Sequence, residues 1–129
     1  MRIAAGEVDS GIRPYRELVE LGQVDILQPD LGHCGGFTIA RQIAVLAREH
    51  GVEVVPHCFS TGILVAASLH YAASLDHPTY SEFSITPSPL ASGVIMEPFK
   101  LEDGYMAVPT GPGLGVELDE DIICRYRLD

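Results

Sequence analysis

An α/β fold with a parallel sheet is what this sequence predicts, and three features lead there. Short apolar runs at residues 2–5, 24–28, 52–56 and 79–83 alternate with helix-like patterns. The runs are close to continuously apolar, as strands covered on both faces are. Gly and Pro fall between the units, where strand and helix must turn into one another.

The elements follow in order. Residues 2–5 read as a strand. Ser10 is placed to cap a helix, Pro14 suits its first turn, and the helix runs to about Leu21 with Gly22 as its stop. Residues 24–28 form the second strand. A turn rich in glycine (Gly32, Gly35, Gly36) leads into a helix from about Phe37 to His50, ended by Gly51. The valine-rich run 52–56 is the third strand, 61–75 the third helix, and 79–83 the fourth strand. Each unit takes about 25 residues, close to the repeat of an eightfold (β/α) barrel. The helix over 61–75 contains no Asp, Glu, Lys or Arg. A helix apolar on every side is buried on every side, so cover from a partner, a further domain or a second copy is expected.

After residue 84 the pattern changes. Pro87 and Pro89 mark a loop. Residues 99–101 and 105–108 flank Glu102-Asp103-Gly104, a hairpin signal. Residues 110–115 form a Gly/Pro loop, and Asp119 is placed to cap a short helix through Tyr126. The division expected is residues 1–96 as strand–helix units and 97–129 as a hairpin with a short terminal helix.

Composition narrows the function. The chain has 129 residues, 47% apolar and 20% charged, which describes a core-forming domain and not a disordered one. A net charge of −10 and a pI near 4.7 repel phosphate backbones and anionic lipid, so neither nucleic acid nor a membrane is an expected partner. The N-terminal residues lack the shape of a signal peptide, and the most apolar stretch, 63–75, is broken by Ser68, His70 and Ser74. Cys34, Cys58 and Cys124 are odd in number and widely spaced, as expected of reduced thiols in a cytoplasmic protein. The chain opens directly in a strand, which fits a small domain and equally a fragment whose upstream part is missing.

Four polar residues stand at or just after the four strands: Glu7, Asp30, His57 and Glu82. In parallel barrels the C-terminal strand ends converge on one mouth, where chemistry takes place. Taken singly, each has an ordinary role. Glu7 and Asp30 serve as helix caps or turn residues, His57 as a loop or core histidine, Glu82 as solvated surface. Taken together they form a coherent set. Glu7 is a hard oxygen ligand suited to Mg²⁺. His57 exchanges a proton near neutrality. Asp30 is placed to hold its other ring nitrogen and set its tautomer. Glu82, if protonated, donates a hydrogen bond to a developing oxyanion. Such parts suit removal of a proton next to a carboxylate. Other groups read as ordinary. The glycines 111, 113 and 115 lack the Lys-Ser/Thr of a phosphate loop, and His57-Cys58 with Cys34 fits no zinc spacing.

The strings Ala4-Ala5-Gly6-Glu7, Gln28-Pro29-Asp30 with Cys34-Gly35-Gly36, and Val55-Pro56-His57 resemble the later barrel strands of the mandelate racemase-like group, the mandelate racemase/muconate lactonizing enzyme family of the enolase superfamily. Leu101-Glu102-Asp103-Gly104 and Gly111-Pro112-Gly113-Leu114-Gly115 resemble the family's C-terminal segment. The resemblance implies that residues 1–96 are the C-terminal half of a TIM-like barrel and that 97–129 return toward a capping domain. It implies Glu7 as a Mg²⁺ ligand ending strand five, and Asp30 and His57 as the dyad of strands six and seven. Glu82 on strand eight would bond the substrate carboxylate and its enediolate. A hydroxy acid or sugar acid is the implied substrate, and dehydration or racemisation the outcome. The family's two other metal carboxylates, its Lys-x-Lys motif and its capping domain are not among these residues. The implied chain is therefore inactive alone, with an incomplete Mg²⁺ ligand set, and pairs with the N-terminal half of the barrel or with itself. The rival expectation is a non-catalytic α/β domain or an oligomerising relic.

Overall fold

The computed structural model describes residues 1–128 apart from Pro78, Phe83 and Pro87. Strands β1 (Ala4–Ala5), β2 (Ile26–Leu27) and β3 (Glu53–Val54) form a parallel sheet in that order, each joined to the next by a helix. Ala4 and Ala5 lie opposite Ile26 and Leu27, which lie opposite Glu53 and Val54. Backbone bonds extend the pairing beyond these short ladders, from Gln28 N–H to Ala5 O at 2.9 Å and from His57 N–H to Pro29 O at 3.2 Å. At the opposite edge Arg2 bonds Glu53 at 2.7 Å, clasping the sheet across its exposed end.

Helix α1 (Ile12–Glu20) starts from Gly11, with φ +73, and no side chain caps it. Ser10 is thus not the cap that its residue type suggested: Gly11, with a positive φ and an extended ψ of 173, starts the helix, and its N–H bonds Cys34 O. Helix α2 (Gly36–His50) ends as expected on Gly51 in the left-handed conformation. Helix α3 (Gly62–Ala73) is capped by Thr61, whose hydroxyl accepts from Leu64 N–H.

The main core lies between sheet and helices. Tyr15 and Val19 of α1, Leu27 of β2, Ala40, Ile43 and Leu46 of α2, Val54 of β3 and Tyr71 of α3 are buried in it. Burying a side chain the size of Leu27 or Ile43 contributes about 1.5–3 kcal/mol. The two tyrosines keep their hydroxyls bonded inside, Tyr15 donating to Gly6 O at 2.6 Å and Tyr71 to Ala40 O at 2.8 Å.

The segment after α3 differs from expectation. Residues 79–82 run beside β3, with Thr79 Oγ1 donating to Val54 O and Glu82 N–H to Pro56 O, but they form no regular ladder. Pro56 accounts for one absent bond, since it accepts from Glu82 and has no N–H to donate. Phe83, the end of the expected strand, lies outside the described residues. Part of the expected loop is a short helix, α4 (Pro89–Ser92). The hairpin β4 (Leu101–Glu102) and β5 (Tyr105–Met106) turns on Asp103 and Gly104, with φ +50 and +82, so Glu102 belongs to the strand and not the turn. Asp119 caps α5 (Glu120–Tyr126) by accepting from Ile122 N–H at 3.0 Å.

The cover that α3 requires comes in large part from this C-terminal segment. Val65 and Leu69 pack with Cys58 against Phe99, Met106 and Val108. Gly62 lets α4 approach: a Cβ there would meet Ile95 Cδ1 at 2.9 Å and Ala91 O at 3.0 Å. Among the described residues no helix is long and apolar enough to cross a membrane.

Burial pushes the Tyr15 and Tyr71 phenols well above their ordinary value of 10.0. The folded chain keeps these protons where the unfolded chain loses them. Their contribution is therefore whole below about pH 10 and is lost as pH climbs toward the folded values. Urea unfolding at a series of alkaline pH values should show stability falling above about pH 10, with a shallower fall in Tyr71→Phe. An identical slope in that variant would contradict the burial of this hydroxyl.

Candidate active site

Parallel register brings the C-terminal ends of the strands to one edge of the sheet. Gly6 follows β1 with φ +118, and a Cβ there would meet Tyr15 Cε1 at 2.9 Å. Only glycine fits both conditions. Its turn delivers Glu7, half-buried, whose Oε2 accepts from Gly6 N–H at 3.1 Å.

Asp30 ends the second strand and is 3% exposed. A carboxylate so placed must be bonded throughout. Its Oδ1 accepts from Gly32 N–H at 2.7 Å and its Oδ2 lies 2.9 Å from His57 Nδ1. Its backbone carbonyl accepts from His33 and Cys34 N–H at 3.0 and 2.7 Å, shaping the turn into α2. An ionised carboxylate only accepts, so the proton sits on His57 Nδ1 and the lone pair on Nε2. The His57 ring stacks on Phe59, centroids 4.7 Å apart, which fixes its plane from one side. Asp30 and His57 also pair through the backbone in a parallel bridge. The Asp–His contact expected from sequence is therefore present.

Glu82 is half-buried, and its Oε2 accepts from the Gln28 side-chain amide at 2.6 Å. Gln28 escaped the sequence reading. The signal was there: it stands two residues before Asp30 on the same strand, hence on the same face. Of the four residues singled out, the structure joins Asp30 to His57 by a direct bond, while Glu82 is joined to Gln28. Glu7 sits at the same edge on the outer strand.

The metal reading meets a limit. Among the described residues no three His, Cys, Asp or Glu side chains converge as a metal site. Mg²⁺ takes near-octahedral oxygen ligation, and Glu7 brings one carboxylate. These residues alone do not make the site. The cysteines are free, as expected; burial raises the Cys34 and Cys58 thiols above their ordinary range, which makes them poor nucleophiles.

Comparison with known proteins decides the family. The enolase C-terminal domain-like family matches residues 1–122. This chain belongs to that family. It is 37% identical to the D-galactarolactone cycloisomerase of Agrobacterium fabrum, over 98% of this chain and 35% of the relative. It is 36% identical to a D-galactonate dehydratase of Ralstonia pickettii, over 94% of this chain and 33% of the relative. The 3,6-anhydro-D-galactonate cycloisomerase of Zobellia galactanivorans has a similar crystal structure, with TM-score 0.87, 37% identity and coverage of 98% and 36%. An enolase superfamily member from Polaromonas gives TM-score 0.90 at 31% identity, covering 100% of this chain and 34% of its own. The enolase-family chain thus spans about a third of the length of these relatives, and its strand–helix units are part of a TIM-like barrel.

The dyad geometry makes a spectroscopic prediction. Long-range ¹H–¹⁵N spectra of the chain above the His57 titration should show neutral His57 protonated on Nδ1 and bare on Nε2. Asp30→Asn should mix the two tautomers. An Nε2–H tautomer in the unaltered chain would refute the assignment.

Proposed function

We propose that this chain forms the acid–base wall of an enzyme that removes the proton α to the carboxylate of a hydroxy acid or sugar acid. The observation that carries the reading is the Asp30–His57 pair: a buried carboxylate 2.9 Å from Nδ1, leaving Nε2 as the basic atom. Names of relatives that act on galactonate and galactarolactone support a sugar acid as the substrate class.

In this reading His57 Nε2 takes the α-proton. The C–H electron pair forms the C=C bond of an enediolate, and charge moves onto a carboxylate oxygen. Glu82, in its protonated form, donates a hydrogen bond to that oxygen. In a dehydration the β-hydroxyl then leaves as water, protonated by His57 in its imidazolium form. In a racemisation His57 keeps the abstracted proton, and an acid on the opposite face, supplied from outside this sequence, delivers another to the α-carbon. Asp30 orients the ring and stabilises the imidazolium, and Phe59 holds its plane. Bound Mg²⁺ would supply charge stabilisation at the substrate carboxylate. Glu7 would be one of its ligands, and the others would come from barrel strands outside this sequence. In isolation the chain is then inactive, and the N-terminal part of a barrel or a second copy is its partner. As part of a metabolic enzyme it would work in the cytoplasm.

The experiment joins residues 1–129 to the first two thirds of a sugar-acid dehydratase relative, in place of that enzyme's own last third. The hybrid should exchange the substrate α-proton in D₂O with Mg²⁺ present, and the chain alone should not. His57→Asn in the hybrid should reduce exchange by about 10²–10⁴-fold with the fold intact by circular dichroism. Exchange at the unaltered rate in that variant would sink the dyad assignment.

A further inference from the structure

The backbone of Glu82 is tied to β3 by one bond, its N–H to Pro56 O at 2.9 Å, and residues 79–82 form no regular ladder. That bond places the backbone and leaves the side chain to be oriented by its own partner. Gln28 is that partner. It projects from the end of β2, whose backbone is tied to β1 through Gln28 N–H and Ala5 O at 2.9 Å. Its side chain and that of Glu82 reach toward each other across β3, a gap of two inter-strand spacings or roughly 9–10 Å, and its amide donates to Glu82 Oε2 at 2.6 Å.

The chemistry of the donor matters. An Arg or Lys at position 28 would bring a permanent cation and favour the ionised carboxylate alone. A neutral amide N–H donates to a carboxylate oxygen and, more weakly, to the carbonyl oxygen of a carboxylic acid. It can therefore hold the geometry of Glu82 in either form while favouring the ionised one far less than a cation would. With Oε2 engaged, Oε1 is the oxygen left to meet a ligand.

We propose that Gln28 is a positioning residue that clamps Glu82 through Oε2 and presents Oε1 to the substrate oxygen. This rests on the role given to Glu82 above. Gln28 itself acts only through Glu82.

Two measurements test it. The first needs no turnover. In the chain, the Gln28 side-chain amide resonances should follow the Glu82 carboxyl ¹³C titration with one shared midpoint, and Glu82→Gln should abolish that titration. Gln28→Met, which keeps the length and removes the donor, should move the Glu82 carboxyl resonance. Amide signals indifferent to Glu82, or a Glu82 resonance unmoved in Gln28→Met, would overturn the clamp whatever the chemistry of the site. The second uses the hybrid enzyme. Gln28→Met should lower kcat on the order of 10²-fold, the loss expected of a misplaced group, with KM nearly unchanged. It should add little to Glu82→Gln, since both remove one device. An unchanged kcat in Gln28→Met beside a dead His57→Asn would overturn the positioning role and leave the dyad standing. Full activity in both variants would overturn His57 as the base, and the role of Gln28 with it.

Discussion

The carboxylate of Asp30 sets the terms for the centre of this structure. Buried to 3% exposure, it must have every oxygen bonded or the chain would lose several kcal/mol. The solution recruits three parts of the fold. Gly32 gives its N–H to Oδ1, His57 meets Oδ2 from the next strand, and the Asp30 carbonyl takes the His33 and Cys34 N–H groups to fold the chain into α2. A Cβ at position 32 would lie 3.1 Å from Oδ1, a tight contact to which the carboxylate would have to yield by a few tenths of an ångström. The same bonds that make burial tolerable also choose the His57 tautomer, so structural need and chemical capacity coincide in one residue.

Parallel pairing does the rest of the gathering. Glu7, Asp30 and His57 are separated by more than twenty residues each, and only strand register places them at one edge. The two prolines in this edge, Pro29 and Pro56, each offer a carbonyl that accepts a bond and no N–H to donate one. Side-chain bonds add to the backbone pairing there, at Asp30–His57 and at Gln28–Glu82.

Much of this was legible in the sequence, for physical reasons. Helix α2 announced itself through the glycines before it and Gly51 after it, and Thr61 and Asp119 cap as their short oxygen-bearing side chains suggest. Strand ends placed Asp30 within reach of His57, and the family resemblance implied their pairing. What misled was local. Ser10 resembles a cap, but Gly11 reaches the required backbone angle at less cost. Residues 79–82 carry a strand pattern, yet pairing depends on a neighbour's donors, which Pro56 lacks. The hairpin that covers part of the uncharged α3, at Val65 and Leu69, is a long-range contact that periodicity does not show. Gln28 was overlooked because an amide has no titration to draw the eye, although its spacing from Asp30 places both on one face.

The account stands on the claim that Asp30 acts through His57. A double-mutant cycle on α-proton exchange in the hybrid with the dehydratase relative measures that directly, using Asp30→Asn, His57→Asn and the pair together. The account predicts that the double variant is no slower than His57→Asn alone, because orienting an absent imidazole has no value. Losses that multiply, each variant slowing the other by its full factor, would show that Asp30 contributes by a separate route and would contradict it.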